Sequence, residues 1–384
     1  MPGRPHVCVV GHGVAGRLHR QLLEGMGLSV SVVDPAAPRH DTPVATAATL
    51  AELPADRPVD VWSVCTPTAG HVHTVAAILD RDPEARVLVE KPACRSWEGP
   101  ELSALLDAHD RARLVVMNQY AHAKAPAILE AVRAEFAPRH PVRAIRVAFC
   151  KDRREDIAAG RFVDLDYGVF GYEWLHMLAV LGSLLPAPAF DRYLRTGPAP
   201  HAVRIARDPR LASTAAHETT TLRTADGSAV EIELYSTIAG PDAPHTAPAP
   251  AWARRTGPAT DSRLRLARVE AGPVVLTLEL DPVFLPNGTR LPRNTHRLTM
   301  DGPGGHREWL VPDSPMDNAL RHAVATLLGP GPRPPLDLRP LGRIGRLAEL
   351  AARTDADGPH TVRTDAPAEA PRTAPADAAL PTRL

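Results

Sequence analysis

Short apolar runs alternate with longer amphipathic stretches over the first part of the chain. The apolar runs are rich in valine and nearly continuous, which is typical of strands covered on both faces; they occupy residues 6–10, 29–33, 59–65, 85–90 and 113–118. Helical spacing of apolar residues fills the intervals over residues 14–27, 71–82 and 97–112. This alternation predicts an α/β domain with a parallel, doubly wound sheet over residues 1–121.

The pattern changes after residue 121, where strands with turn signals replace the regular alternation. Strands are predicted over residues 142–150, 217–238, 263–272 and 273–281, with a hairpin turn at Ala-Asp-Gly-Ser, residues 225–228. Helices are predicted over residues 124–136, 172–182, 315–329 and 338–353. Residues 122–363 are therefore predicted to form an α+β domain with a large, mostly antiparallel sheet. A proline-rich loop is predicted at 240–261, and a disordered Ala/Pro tail at 364–384.

The composition excludes several classes of function. Lysine plus arginine equals aspartate plus glutamate, 44 each, so no basic excess suggests nucleic acid as a partner. The chain begins with a buried-strand pattern rather than a signal peptide, and no run approaches about 18 apolar residues, so we expect a cytoplasmic protein without a membrane span. The four cysteines show no CxxC spacing and are interpreted as reduced core thiols; they are Cys8, Cys65, Cys94 and Cys150.

A glycine-rich turn lies between the first predicted strand and the first predicted helix. Gly11, Gly13 and Gly16 have the G-x-G-x-x-G spacing, and the strand and helix around them are the context in which this motif binds dinucleotides. The first glycine permits the tight turn, the second lets a pyrophosphate approach the backbone, and the third lets the helix pack on the strand. The turn predicts a Rossmann dinucleotide-binding domain, with His12, Val14 and Ala15 completing the cofactor contact.

Asp34 ends the second predicted strand, where an acidic residue can accept hydrogen bonds from the adenosine ribose. Its charge would repel the 2′-phosphate of NADP, and the next arginine in the sequence is Arg39. We therefore predict NAD, with NADP as the less favoured cofactor.

Only three of the 44 basic residues are lysines, Lys91, Lys124 and Lys151. Lysine can lose its proton when it is desolvated, whereas arginine cannot. Lys91 follows a predicted strand in "VLVEKPACRS", and open α/β sheets bind ligands at the carboxyl ends of their strands. Lys91 is therefore a candidate for proton transfer.

These motifs together resemble the Gfo/Idh/MocA family of NAD(P)-dependent oxidoreductases. The resemblance rests on the glycine turn, on Thr66-Pro67 followed by His71, and on Glu90-Lys91-Pro92. It implies that Lys91 lies near the nicotinamide and the substrate, where it orients the substrate hydroxyl or moves its proton.

The resemblance also implies roles for residues at the junction of the two domains. Asn118 and Tyr120 follow the last strand of the first domain, where the family lines its cofactor cleft. Lys124 is either a substrate contact or a solvated lysine at a helix start, and Lys151 is expected to bind substrate from the second domain. His71 and His73 are two residues apart and so point in different directions on a helix, which argues against a metal pair. No metal site is predicted.

The second catalytic residue is ambiguous in the sequence. The family carries D-x-x-x-H, or tyrosine in place of histidine, at the start of a long helix in the second domain. Counting from Asp166, the acid–base position is Phe170, which cannot transfer a proton; counting back from the helix end at Gly182, it is Tyr172. His176 lies one turn beyond Tyr172. Tyr172 assisted by Lys91, His176, or Lys91 alone therefore remain as candidates, and Asp166, Tyr172 and His176 are also candidate substrate contacts.

The expected reaction is hydride transfer between NAD(H) and a secondary alcohol or ketone carbon. The resemblance implies a sugar, nucleotide sugar or cyclitol as substrate and a homodimer or homotetramer formed through the second-domain sheet. Imine reduction on the same scaffold, a regulatory protein that binds NAD without turnover, and a hydrolase that uses NAD transiently are the alternatives.

Overall fold

The computed structural model describes residues 4–37, 45–54, 58–160, 164–208, 212–239, 249–254, 261–331 and 336–353. The predicted tail and most of the predicted proline-rich loop lie outside these ranges. The first sheet is entirely parallel, in the order β3-β2-β1-β4-β5-β6. Its strands are His6–Val10 (β1), Ser29–Val33 (β2), Ala45–Ala47 (β3), Val61–Val64 (β4), Val87–Val89 (β5) and Leu114–Val116 (β6).

The predicted doubly wound domain is confirmed, with one strand more than the sequence indicated. Strand β3 has three residues, too few for the hydrophobic pattern to mark it. The sheet has the strand order of dinucleotide-binding domains. Successive strands are added on one side of β1 up to β3 and on its other side from β4 onward, so the order of addition changes sides between β1 and β4. The helices that connect these strands are Val14–Gly25 (α1), His71–Arg81 (α2) and Gly99–Ala108 (α3).

The second sheet has eight strands in the order β14-β13-β12-β11-β7-β10-β9-β8, and only β7 and β10 are parallel neighbours. This confirms the predicted large, mostly antiparallel sheet. Its strands are Val142–Cys150 (β7), Val203–Asp208 (β8), Ala212–Arg223 (β9), Ala229–Thr237 (β10), Leu264–Ala271 (β11), Val274–Glu279 (β12), Thr295–Gly302 (β13) and Gly305–Pro312 (β14). The helices are Lys124–Phe136 (α4), Arg154–Ala158 (α5), Leu175–Leu184 (α6), Ala187–Arg195 (α7), Pro315–Leu328 (α8) and Arg339–Arg353 (α9).

Helix α8 returns to the first sheet although it follows the second in the sequence. Its buried residues Leu320 and Leu327 share a hydrophobic cluster with Val7 and Val9 of β1. Just before α8, Asp313 accepts hydrogen bonds from the backbone N–H groups of Lys124 (2.7 Å) and Ala125 (3.0 Å). The carboxylate thereby satisfies unpaired donors at the start of α4. The predicted second domain, residues 122–363, thus contains a helix that packs on the first.

All four cysteines are buried and none forms a disulfide, in agreement with their interpretation as core thiols. None of the helices in the described ranges combines the length and hydropathy that crossing a bilayer requires. Among the same residues, no cluster of three or more His, Cys, Asp or Glu side chains is arranged to hold a metal ion.

One face of the second sheet packs against α6, and the opposite face carries a partly buried network of charges. Arg146 of β7 contacts Glu233 of β10, with 3.0 Å from Nε to Oε2, and also Glu270 of β11. His217 of β9 lies 2.7 Å from Glu233. Thr277 of β12 lies on the same face and is half-buried; its cross-strand neighbours are Arg268 and Thr299.

We expect this charged face to form a subunit interface. Wild-type protein at micromolar concentration should give the mass of a dimer or tetramer by light scattering coupled to size exclusion. Thr277→Arg, which adds a long charged side chain to this face, should shift that mass toward the monomer, because an unpaired charge buried in an interface is costly. A monomeric wild type would contradict the prediction. So would a Thr277→Arg variant that assembles like the wild type.

Candidate active site

The glycine turn has the geometry that each of its glycines predicts. Gly11 has φ +92°, in the region that favours glycine, and a Cβ there would lie 2.8 Å from the backbone of Cys65. A methyl group on Gly16 would overlap the carbonyl oxygen of Gly11, so α1 and β1 pack in direct backbone contact. A Cβ on Gly13 would meet no atom within 4 Å. Gly13 therefore faces open space, at the position where the motif brings a pyrophosphate close to the backbone.

A cleft of about 760 Å³ extends from this turn to the second domain. Val14, at the first position of α1, is 55 % exposed in the cleft, although it is apolar. The Oγ1 of Thr66 is buried without a hydrogen-bond partner among the described residues. An open backbone approach, an uncovered apolar residue and an unused hydroxyl on the same cleft fit a nicotinamide dinucleotide. The second-domain residues on the cleft wall are Arg153, Asp156, Ile157 and Tyr172.

Asp34 lies on the cleft wall, as the sequence predicts. Its Oδ2 accepts a hydrogen bond from the backbone N–H of His12 (2.6 Å), and its Oδ1 accepts one from Ala36 (2.7 Å). These bonds hold the carboxylate in place and leave it further lone pairs for ribose hydroxyls. Arg17 of α1 lines the same cleft, which the sequence spacing did not indicate, and Arg39 lies outside the described residues.

Lys91 follows β5, and its side chain contacts the segment that precedes α6 in the second domain. Its Nζ donates hydrogen bonds to the carbonyl oxygens of Tyr172 (2.6 Å) and Gly171 (3.3 Å). Burial lowers the pKa of Lys91, and the nearby Glu173 carboxylate opposes that shift. A partly desolvated ammonium of this kind can exchange its proton more readily than a surface lysine.

A π-helical turn over Phe170–Trp174 precedes α6. Such a turn contains more residues than an α-helical turn, so side chains before and after it lie on different faces from those expected for a continuous α-helix. This turn lies between Asp166 and Gly182, the two residues from which the acid–base position was counted. Phe170 is fully buried in the core and takes no part in the site.

Tyr172 lies within the π turn and faces the cofactor cleft. Its Oη accepts a hydrogen bond from the backbone N–H of Asp164 (2.7 Å), and the guanidinium of Arg153 lies 4.3 Å from its ring centroid. Burial raises the pKa of Tyr172, so the phenol stays protonated at neutral pH. Its hydroxyl is therefore suited to donate a proton or a hydrogen bond.

His176 lies on a second, inner cavity of about 310 Å³, which Lys91 and Asn118 also line. The histidine is only 8 % exposed, and its ring contacts that of Tyr120 edge to face at 5.2 Å. Burial and the positive charge of Lys91 hold the pKa of His176 well below its usual value. The ring is therefore neutral, which allows one of its nitrogens to accept a proton or a hydrogen bond.

Arg153 and Glu173 are site residues that sequence reasoning missed. Arg153 donates from Nη2 to Oε1 of Glu173 at 2.7 Å, and Glu173 is 2 % exposed. Burial by itself would raise the pKa of Glu173, but Arg153 and further cations lower it to about 2. The buried carboxylate therefore keeps its charge between Lys91 and Arg153. The available signal was the charged run "KDRRED" directly after β7.

Lys151 lies behind the cleft wall rather than on its surface. Its Nζ is 2.5 Å from Oδ2 of Asp156, and Asp156 lines the cleft beside Tyr172. Lys151 was predicted to face the cleft, but it reaches the cleft wall only through its ion pair with Asp156.

Three predicted substrate residues do not line either cavity, contrary to the sequence-based expectation. Asp166 accepts hydrogen bonds from the backbone N–H (2.6 Å) and Oγ (2.5 Å) of Ser96, which connects two loops. Tyr120 is 2 % exposed because its ring packs in the core against Phe149. Lys124 is exposed at the first position of α4, as the alternative of a solvated lysine implied.

His71 supports the site without facing the cleft. Its ring nitrogens lie 2.8 Å from the carbonyl oxygens of Thr66 and Pro92, so it joins the loops that follow β4 and β5. His73 is exposed on the other side of α2, consistent with the prediction that the two histidines are not a metal pair. Glu90 is bonded to His19 and is also withdrawn from the cleft.

Comparison with solved structures shows the same fold at low sequence identity. An oxidoreductase from Sinorhizobium meliloti has 14 % identity and a TM-score of 0.60, covering 92 % of this chain and 98 % of that one. KijD10, a 3-ketoreductase from Actinomadura kijaniata solved with NADP and TDP-benzene, has 14 % identity and a TM-score of 0.60, with coverage of 92 % and 98 %. GenD2 from gentamicin A biosynthesis, solved with NAD, has 17 % identity and a TM-score of 0.55, with coverage of 93 % and 95 %.

No curated protein sequence matches this chain. The family model for Gfo/Idh/MocA proteins, described as an oxidoreductase family with an NAD-binding Rossmann fold, matches residues 6–120. That range contains the glycine turn, Asp34, Thr66-Pro67 and Glu90-Lys91-Pro92. Residues 6–120 are therefore similar in sequence to the Gfo/Idh/MocA family of oxidoreductases, and the chain shares its fold with solved oxidoreductases.

Proposed function

We propose that the protein transfers hydride between a nicotinamide cofactor and a secondary alcohol or ketone carbon. The cofactor, when bound, supplies or accepts the hydride. In this proposal, residues 1–121 hold the cofactor and residues 122–363 supply most of the substrate contacts and the oligomer interface. The observation that carries the proposal is the meeting of Lys91, Tyr172 and His176 where the cofactor cleft and the inner cavity approach each other.

Alcohol oxidation also requires a proton to leave the hydroxyl oxygen, and ketone reduction requires one to arrive. The desolvated ammonium of Lys91 suits this proton transfer, because burial lowers its pKa toward the neutral range. Burial raises the pKa of Tyr172, so its phenol stays protonated and can donate to a substrate oxygen. Neutral His176 suits hydrogen bonding to the substrate from the inner cavity. We therefore assign proton transfer to Lys91 and Tyr172, with His176 as a substrate contact.

Two similar structures support a carbohydrate substrate. KijD10 is a 3-ketoreductase and was solved with a TDP derivative, and GenD2 belongs to gentamicin A biosynthesis. We propose that this chain acts on a sugar, nucleotide sugar or cyclitol.

The function is tested in two steps with the purified chain. Binding of NADH and NADPH is measured first, by the fluorescence of the reduced nicotinamide. Turnover is then followed by nicotinamide absorbance with a panel of myo-inositol, free hexoses, and TDP- and UDP-linked sugars and ketosugars. Oxidation or reduction of a panel member supports the proposal. Tight cofactor binding without absorbance change on any member would instead favour a non-catalytic NAD-binding protein.

We expect Asp34 to make NAD(H) the preferred cofactor. Asp34→Ser removes the charge that opposes a 2′-phosphate but keeps an oxygen near the N–H of His12, so the ratio of Kd values for NADPH and NADH should fall by roughly tenfold or more. Asp156→Ser is the matched control, since it removes a carboxylate from the opposite wall of the same cleft and should leave the ratio unchanged. Equal or tighter binding of NADPH by the wild type would refute the prediction.

A further inference from the structure

His19 is a completely buried histidine in α1, one turn beyond the glycine motif. Its Nδ1 lies 2.9 Å from Oγ of Ser63 and 3.4 Å from Sγ of Cys65, both in or directly after β4. Its Nε2 lies 2.9 Å from Oε1 of Glu90 at the end of β5. One imidazole thus joins the cofactor-binding helix to the two strand ends that border the cleft. The proposed function makes no use of it.

Glu90 also contacts Lys91. While its Oε1 contacts His19, its Oε2 accepts the backbone N–H of Lys91 at 3.0 Å. The side chain of Lys91 then crosses to the carbonyl oxygen of Tyr172. A continuous series of hydrogen bonds therefore runs from α1 through Glu90 and Lys91 to the π turn that carries Tyr172.

We infer that His19 is a positioning residue for Lys91: bonded to Glu90, it holds the carboxylate that anchors the Lys91 backbone and offsets the charge of that carboxylate. Both ring nitrogens have partners that can accept a hydrogen bond, Ser63 Oγ and the Glu90 carboxylate, so the geometry suits the doubly protonated imidazolium. The inference rests on the proposed role of Lys91 in proton transfer. Its test, however, measures Lys91 directly and needs no substrate.

The charges of the pair agree with this geometry. Burial alone would lower the pKa of His19, but Cys65 and Glu90 raise it to about 10. Burial alone would raise the pKa of Glu90, but His19 and Lys91 lower it to about 2. The contact with Glu90 thus favours the imidazolium form of His19, and the contact with His19 favours the carboxylate form of Glu90, so the charges of the two groups compensate each other.

Lys91 thus faces a compensated carboxylate on one side. The other charged or titratable groups that act on it are Glu173, Arg153, Asp164 and His176. Removal of the charge on His19 would leave Glu90 as an uncompensated anion close to Lys91. Because an anion favours the ammonium form, the pKa of Lys91 would rise, and the lysine would become a poorer proton donor.

The small number of lysines makes this measurable. Competitive labelling with acetic anhydride across a pH series, followed by mass spectrometry of peptides, reports the pKa of each of the three lysines in the intact chain. His19→Gln keeps a hydrogen-bond donor near Glu90 but removes the positive charge. We expect the pKa of Lys91 to rise by roughly one unit in this variant, with Lys124 and Lys151 unchanged as internal references.

Two further variants separate charge from packing. His6→Gln replaces another buried histidine of the same sheet, bonded to Ser31 rather than to Glu90, and should leave Lys91 unchanged. His19→Gln/Glu90→Gln removes both charges and should return the pKa of Lys91 close to the wild-type value. An unchanged Lys91 in His19→Gln, or an equal shift in His6→Gln, would overturn the inference.

A measurement on the wild type covers the case in which His19→Gln does not fold. The ¹⁵N NMR spectrum of the histidine rings at neutral pH should contain a buried imidazolium with both nitrogens protonated, assigned to His19 by its slow hydrogen exchange and by nuclear Overhauser contacts with Ser63 and Cys65. A neutral ring at His19 would overturn the inference. Absence of turnover on the substrate panel, in contrast, would refute the proposed function and leave these results unaffected.

Discussion

Gly13→Val is expected to abolish cofactor binding without unfolding the protein. The backbone at Gly13, φ −67° and ψ −158°, is extended and accessible to other residues, and a Cβ there meets no atom within 4 Å. The valine side chain would therefore cost the folded chain little, but it would fill the space that the glycine motif keeps for a pyrophosphate. We expect the Kd for NADH, measured by fluorescence titration, to rise by roughly two orders of magnitude or more, about 3 kcal/mol or more of binding free energy.

Gly16→Ala is the matched control, because it adds a smaller group at another glycine of the same turn. Here the methyl group would overlap the carbonyl oxygen of Gly11, so the strain falls on the fold itself. Urea unfolding should show a loss of about 1–3 kcal/mol for Gly16→Ala and little change for Gly13→Val. Normal NADH binding by a folded Gly13→Val variant would show that the dinucleotide does not approach this turn.

Lys91→Arg is expected to stop turnover while cofactor binding is retained. Arginine keeps the positive charge but cannot release a proton, and its planar guanidinium does not fit the two carbonyl oxygens that Lys91 Nζ contacts as a point charge. We expect kcat on any substrate found in the panel to fall by roughly two orders of magnitude or more, as for loss of a positioned acid–base group. The Kd for NADH should change by less than about threefold, since Lys91 is not among the residues that line the cofactor cleft.

Lys124→Arg is the control for this substitution. Lys124 is exposed at the start of α4, so the same exchange of side chains should leave both kcat and binding unchanged. Lys151→Arg tests the lysine of the second domain. Because Lys151 is paired with Asp156, we expect this substitution to raise KM more than it lowers kcat. Normal turnover by Lys91→Arg together with an inactive Lys151→Arg would mean that the two lysines have been assigned to the wrong roles.

Much of the first domain follows from local patterns. The valine-rich runs define five of the six parallel strands, because a strand buried on both faces must be apolar at successive positions. The glycine spacing predicts the turn at Gly11, Gly13 and Gly16, because the motif and the strand and helix that confirm it lie within one short segment. Lys91 follows from its place at a strand end, where parallel sheets bind ligands.

The residues around Lys91 were decided by tertiary structure. His19, Glu90 and Ser63 come from three different elements, and Arg153 and Glu173 meet across twenty positions of sequence. Nothing in the local pattern of α1 distinguishes His19 from an ordinary polar residue of an amphipathic helix. Its role depends on which strand ends lie beside the helix.

The sequence by itself determined the parallel sheet, the glycine turn, the acidic residue after β2 and the lysine after β5, since each is encoded by spacing within a short segment. Tertiary structure alone decided which residues of the second domain face that lysine. Around the π turn, Tyr172 and His176 line different cavities, Phe170 lies in the core and Asp166 is bonded to Ser96. The reason is physical: the hydrogen bond from Lys91 Nζ to the carbonyl oxygen of Tyr172 joins residues that are 81 positions apart, and such a contact leaves no periodic signal in either segment.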